Sequence, residues 1–163
     1  MAALPPFAEV LDLHAAVVLR VCAAHAGADL ADEVFQETMI SALRAYDEVR
    51  EPAAIRGWLC TIATRKAIDA RRAAALRPLP VDPAALPEGV ASDEPGDEDV
   101  WPLVGGLPDR QRAAVTLRYL GDLSHAEIGA TLGISTDAAR RNVFEGLQSL
   151  RRTPAIREEL SSR

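Results

Sequence analysis

Residues 78–101, PLPVDPAALPEGVASDEPGDEDVW, limit what this chain can fold into more than any other segment. Five prolines and two glycines interrupt any helix there. Seven acids and no base make it strongly acidic. Low hydrophobicity combined with high charge predicts a loose connector. Its 24 residues could span roughly 80 Å when fully extended. The chain of 163 residues is thereby divided into a segment at 7–77, a connector at 78–101, a second segment at 102–152 and a tail at 153–163.

Each segment must build its own core from aliphatic residues. Apolar residues make up 48% of the chain but aromatics only 4%, and the abundance of Ala and Leu favours helices over strands. The expected fold class is all-α. Charge is unevenly spread. Residues 1–53 carry nine acids and three bases, whereas 54–77 carry six bases and one acid. Residues 102–163 carry nine bases and seven acids. The net charge of -6 is therefore no argument against a nucleic-acid partner, because two basic segments flank an acidic one. No run of eighteen uncharged apolar residues predicts a membrane span. The start, MAALPPFAEVLD, lacks the basic opening of a signal peptide. Two cysteines, Cys22 and Cys60, do not make a disulfide framework. A soluble, cytoplasmic protein is expected.

The first segment reads as three helices. In FAEVLDLHAAVVLRVCAAH, Phe7, Val10, Leu11, His14, Val17, Val18, Val21, Cys22 and His25 recur at helical spacing. Gly27 stops that helix, and Asp29 is the expected N-cap of the next, about 30–47. The buried face of that helix is expected to hold Val34, Met39 or Ile40, Leu43 and Tyr46. Its polar face carries Asp32, Glu33, Gln36 and Glu37. A turn closed by Pro52 leads to a third helix, about 53–76, with Ile55, Trp58, Leu59, Ile62 and Ala63 on one side. Trp58 lies on that apolar stripe, which assigns it to the core. The far half, TRKAIDARRAAALR, is basic.

The second segment reads as four short helices. A first helix, about 97–105, contains Pro102, and the next is expected to begin at Pro108. SHAE, residues 124–127, is a capping box that starts a third helix, ended by Gly133. A fourth runs from Ser135 to about Arg152. Ile128, Leu132, Ile134, Ala139, Val143, Leu147 and Leu150 are spaced to face inward, with Gly129 where two helices would cross. This is the arrangement of a helix-turn-helix, whose second helix enters the major groove. Arg140 and Arg141, with Thr136, Asp137 and Phe144, fall on its outer face, where arginine can hold phosphate or pair with guanine. A solvated basic helix face is the plainer alternative. Gly146 weakens that last helix by about 1 kcal/mol relative to alanine.

The stretch LPDRQRAAVTLRYLGDLSHAEIGATLGIS, residues 107–135, resembles the C-terminal DNA-binding domain, region 4, of extracytoplasmic-function sigma factors. These are group IV of the sigma-70 family of bacterial RNA polymerase. DEVFQETMISAL (32–43) and IRGWLCTIATRKAIDARR (55–72) resemble that family's region 2, in the same order, so the resemblance covers residues 7–152. It implies a region 2-like domain of three to four helices and a region 4-like helix-turn-helix domain, joined by the acidic connector. It implies that Asp32, Glu33, Gln36 and Glu37 dock on the beta-prime clamp of core RNA polymerase, with region 4 near the beta flap. It implies that Asp47, Arg50, Arg56, Trp58, Arg65, Lys66, Arg71 and Arg72 bind and melt -10 DNA. Ser135, Thr136, Asp137, Arg140, Arg141 and Phe144 would meet the -35 element. The connector would lie near the RNA exit path, where an acidic strand could mimic nascent RNA.

The resemblance further implies promoter DNA and an anti-sigma factor as partners, no cofactor, no catalysis and no membrane insertion. Two stretches depart from the family. Thr64 and Arg65 stand where the family has Arg-Asn, and ARRNVFEG (139–146) replaces a segment richer in bases, with Asn142 and Glu145 in basic positions. These two residues favour an alternative, a sigma-like mimic that binds an anti-sigma protein and not DNA. A helix-turn-helix regulator acting without polymerase is a third reading, but it would have no use for the acidic docking helix.

Enzyme readings find no support. There is no phosphate loop, no GxSxG and no paired carboxylates. Cys22 and His25 have i,i+3 spacing that could hold a metal, but a structural zinc site wants four ligands. The thiols could sense oxidants only if they were exposed and acidic.

Overall fold

The computed structural model describes residues 3–76 and 100–154. Residues 78–99 of the expected connector and 155–163 of the expected tail lie outside the described residues. Helix α1 (Phe7–Ala26) ends at Gly27, whose φ of +84° needs a residue without a side chain, and α2 (Ala28–Ala45) follows at once. The cap expected at Asp29 is not formed. Gly27 takes the cap position and Asp29 lies in the first turn, where its carboxylate still meets the positive end of the helix. Two short 3-10 turns, Tyr46–Glu48 and Pro52–Ala54, lead into α3 (Ile55–Ala75).

Each of α1, α2 and α3 packs on the other two. Their shared core holds Val10, Val18, Val21, Ala31, Val34, Ala42, Leu59, Ala63 and Ala67. Small residues at the crossings let aliphatic side chains fill the bundle with few rings. The buried face of α2 is narrower than its sequence suggests. Val34, Met39 and Tyr46 are buried as expected, but Ile40 is 45% exposed and Leu43 58% exposed. Ala31, Thr38 and Ala42 occupy the face instead. The Thr38 hydroxyl donates to the Val34 carbonyl, 2.7 Å away, which removes the cost of burying it.

The second group comprises α4 (Val100–Gly105), α5 (Asp109–Tyr119), α6 (His125–Leu132) and α7 (Thr136–Arg152). Pro108 is the N-cap of α5 and not its first helical residue, so the helix starts one position later than expected. Six consecutive residues of α5, Arg112 to Leu117, are buried. A helix covered all round must have neighbours on every side. α5 has them: α6 and α7 from its own group, α1 and α3 from the first. Ala114, Leu117, Leu120 and Leu123 therefore join the same apolar cluster as Val10, Leu59 and Cys60. The two helical groups expected from the sequence are present, and they lie against one another. No helix among the described residues is long and apolar enough to cross a membrane.

Candidate nucleic-acid interface

The helix-turn-helix is set by short-range interactions. Ser124 Oγ accepts from the Glu127 N–H at 3.2 Å, and Glu127 Oε2 accepts from the Ser124 N–H at 2.7 Å. These bonds from Ser124 hold the Glu127 carboxyl below its ordinary pKa. Gly133 closes α6 in the left-handed region, φ +67°. A side chain at Gly129 would put its Cβ 2.8 Å from the Ile134 carbonyl oxygen, so the turn can cross α6 only there. Ser135 caps α7 by accepting from the Ala138 N–H at 3.1 Å. Ile128, Ala139, Val143 and Leu150 are buried beneath, while Leu132, Ile134 and Leu147 are half-buried.

The outer face of α7 presents Ser135, Thr136, Asp137, Arg140, Arg141 and Phe144, all exposed. Arg140 Nη1 bonds Asp137 Oδ1 at 2.8 Å, one turn back. An exposed pair of this kind is weak and opens readily for a better acceptor. The two departures from the family pattern differ in kind. Asn142 turns inward and donates to the Ala138 carbonyl at 2.8 Å, so it leaves the outer face. Glu145 is exposed and accepts from Gln111 Nε2 of α5 at 3.4 Å.

The residues expected at the melting site divide into two sets, and the helical period explains the division. Trp58, Arg65 and Arg72 recur every seven residues and share one face of α3. Trp58 is half-buried, with its ring centre 6.4 Å from that of Tyr46. It walls an open cleft of about 310 Å³ with Val49, Arg50, Glu51 and Ala54. Its assignment to the core is thus half right: one part packs and another is presented. Asp47, Arg50, Arg65 and Arg72 are exposed and Lys66 is half-buried.

Arg56 and Arg71 sit on the stripe that contains the buried Cys60, Ala63 and Ala67, and they turn toward the other side of the molecule. Arg56 Nε donates to the Leu120 carbonyl at 2.7 Å. Arg71 Nη1 donates to the His25 carbonyl at 3.3 Å. Both residues remain exposed, so each bond occupies only part of its guanidinium.

The acidic face of α2 is presented as expected, with Asp32, Glu33, Gln36 and Glu37 all exposed. Ile40 and Leu43 extend it with apolar surface. Sequence reasoning missed these two, although the alternative register through Ala31, Thr38 and Ala42 would have found them.

The buried groups offer no ready chemistry. Burial raises the Cys22 and Cys60 thiols to about 12, far from the thiolate that reacts or binds metal. Burial, then the neighbouring Arg71 charge, lowers His25 to about 4, and its Nε2 has no hydrogen-bond partner. Burial and the Arg56 charge also lower His14.

A helix-turn-helix with an exposed arginine face, packed on a bundle with an acidic-apolar helix and a basic one, places the chain among all-helical proteins of two modules. Residues 10–77 match the family described as Sigma-70 region 2, and residues 103–152 match Sigma-70, region 4. The chain belongs to the sigma-70 family, in its extracytoplasmic-function group, whose members are non-enzymatic transcription initiation factors. It is 34% identical over 160 residues to the ECF RNA polymerase sigma factor SigE of Mycolicibacterium smegmatis, covering 92% of this chain and 62% of that protein. The chain thus spans less than two thirds of that relative's length. It is 28% identical over 134 residues to the RNA polymerase sigma factor SigV of Bacillus subtilis, covering 82% of this chain and 80% of that one. Its fold is similar to that of the sigma factor RpoE of Bartonella quintana, solved with the anti-sigma factor NepR. That likeness has a TM-score of 0.64 at 17% identity and covers 89% of this chain and 94% of the other.

Proposed function

We propose that the chain is a promoter-specificity subunit of RNA polymerase. In this reading Asp32, Glu33, Gln36 and Glu37, with Ile40 and Leu43, dock on the polymerase clamp. Asp47, Arg50, Trp58, Arg65, Lys66 and Arg72 engage the -10 element, and Arg56 and Arg71 join them. The cleft beside Trp58 suits an unstacked base, because an aromatic wall gives a stacking surface and nearby arginines hold the backbone. Ser135, Thr136, Asp137, Arg140, Arg141 and Phe144 meet the -35 element in the major groove. The observation that carries the reading is the exposed arginine face of α7 on an intact helix-turn-helix, in a chain that also matches region 2. The domains are assigned to 7–77 and 102–152, with 78–101 as connector and 153–163 as tail.

The reading includes an anti-sigma partner, which the fold's likeness to a sigma factor solved with one supports. Residence in the cytoplasm follows from the need to reach polymerase and DNA. Transcription with purified core polymerase on genomic fragments tests the proposal. Addition of the chain should produce transcripts from discrete start sites with a shared upstream element. Transcripts indistinguishable from those of core enzyme alone would remove it.

A further inference from the structure

A cleft of about 390 Å³ opens between α3 and the corner that joins α5 to α6, and it holds opposed charges that do not meet. Arg56 and Thr61 line it from α3, while Asp122, Glu127 and Thr131 line it from the corner and α6. Each charged group has unused capacity. Arg56 spends its Nε–H on the Leu120 carbonyl and keeps both Nη groups unbonded. Glu127 Oε2 accepts from the Ser124 N–H, and Oε1 makes no bond. Asp122 is exposed and makes none at all. Among the described residues, no ion pair joins Arg56 to either acid. The width of the cleft holds them apart.

The two hydroxyls decide which end of a ligand faces which wall. Thr61 Oγ1 donates to the Gly57 carbonyl at 2.9 Å, and Thr131 Oγ1 donates to the Glu127 carbonyl at 2.9 Å. With their protons used, both offer only lone pairs to the cleft. The side formed by Asp122, Glu127 and Thr131 is therefore all acceptor, and the bonds from Ser124 keep Glu127 ionised. Arg56 is the charged donor opposite. Trp58, Leu123 and Ala130 supply apolar surface between them. The floor is narrow: a Cβ at Gly57 would lie 3.3 Å from the Gly121 carbonyl oxygen. Small-molecule sites are clefts of roughly 300–1,000 Å³ with apolar walls and a few convergent polar groups, often where two domains meet. This cleft has that form.

We propose that the cleft binds a small zwitterion, of the size of an α-amino acid or a dipeptide, with its carboxylate on the Arg56 Nη groups and its ammonium on Asp122 and Glu127. The inference does not rest on the promoter reading. The two Nη groups present parallel donors, the arrangement that a carboxylate takes from arginine. An ammonium carries three donors, and Asp122, Glu127 and the Thr131 hydroxyl give it acceptors. A ligand with one charge would satisfy one wall and leave the other unpaired, so both heads are needed. An apolar body between them would cover Trp58 and Leu123. Binding to the folded chain alone stabilises it by mass action.

The test titrates the isotope-labelled full chain and follows the Trp58 indole N–H and the Gly57 and Gly121 amides by NMR. The zwitterionic probes are L-leucine, L-phenylalanine and glycyl-L-leucine. Leucinamide carries the cation alone and isocaproate the anion alone. At least one zwitterion should shift these resonances saturably, and its single-charge analogues should bind at least about tenfold more weakly. Asp122→Asn removes a charge with a residue that also accepts the φ of +56° found there. It should weaken binding about tenfold. Ala130→Leu fills the cleft from an exposed position of α6, leaves every charge in place and should abolish the shifts. No saturable shift by any of the three zwitterions up to about 10 mM overturns the proposal. So does equal binding of leucinamide or isocaproate, or parent-like binding by Asp122→Asn or Ala130→Leu. The transcription assay with core polymerase is read separately, and its failure would leave these titrations untouched.

Discussion

Gly146 of α7 lies so close to Val115 of α5 that a Cβ at 146 would sit 2.7 Å from Val115 Cγ2. Val115 is β-branched and buried, so it has little room to give. By helix propensity alone, Gly146→Ala should stabilise by about 1 kcal/mol. Overpacking a filled core costs roughly 1–3 kcal/mol. The steric term wins here, and Gly146→Ala should lower stability by about 1 kcal/mol in urea unfolding. A stabilised variant would show that α5 and α7 are less tightly packed than the structure has them.

His25 makes stability depend on pH. Its pKa is about 4 in the folded chain and 6.5 when unfolded, so between these values the unfolded chain binds more protons. Stability is therefore full above pH 6.5 and falls as the pH drops toward 4. Between pH 7 and pH 5 the loss from this group is about 2 kcal/mol. His25→Leu should flatten that part of the profile while leaving the carboxylate-driven part at lower pH. Parallel curves for the two chains from pH 7 to 5 would refute a buried neutral imidazole.

On α2, the exposed acids and the exposed Ile40 and Leu43 form one surface, and both parts should matter. Asp32→Lys with Glu37→Lys should weaken binding to core polymerase and make the remainder less salt-sensitive. Leu43→Ser should weaken it as well, with little loss of stability because the side chain is 58% exposed. A Leu43→Ser chain that unfolds, or that binds like the parent, would remove the apolar part of the docking face.

Apart from the Asp29 cap and the start of α5, features set by neighbours in the chain were legible from the sequence. The Ser124–Glu127 box, the left-handed Gly133, the Ser135 cap and the inward spine of α7 all follow from spacings of a few residues. Two kinds of feature were not. The register of α2 was misjudged because Ile40 and Leu43 look more like core than Ala31, Thr38 and Ala42 do. Volume at the crossing, not hydrophobicity, decides which residues go inside. The bonds of Arg56, Arg71 and Arg112 to His25 and Leu120 were hidden because they are made to main-chain carbonyls. Carbonyls carry no residue-specific signal, and those of His25 and Leu120 become targets only when the two halves meet.

Arg140 and Arg141 are adjacent, so they point about 100° apart around α7 and cannot do the same work on DNA. Arg140 starts from its pair with Asp137, whose carboxylate would itself repel phosphate. Each phosphate neutralised contributes about -0.9 to the slope of log affinity against log salt. Whichever arginine holds the backbone should, on replacement by alanine, flatten that slope by about one unit at every promoter sequence. Whichever reads a guanine should leave the slope closer to the parent's and cost roughly 1–3 kcal/mol at a single base pair. Asp137→Ala sharpens the comparison: it frees Arg140 and removes a negative charge, so binding should tighten most at low salt. Glu145→Arg should tighten binding in the same way if α7 lies against the backbone. If all four variants bind the upstream promoter element as the parent does across the salt range, α7 is not the reading helix. The outer face of α7 would then be free for a protein partner, as in the mimic reading.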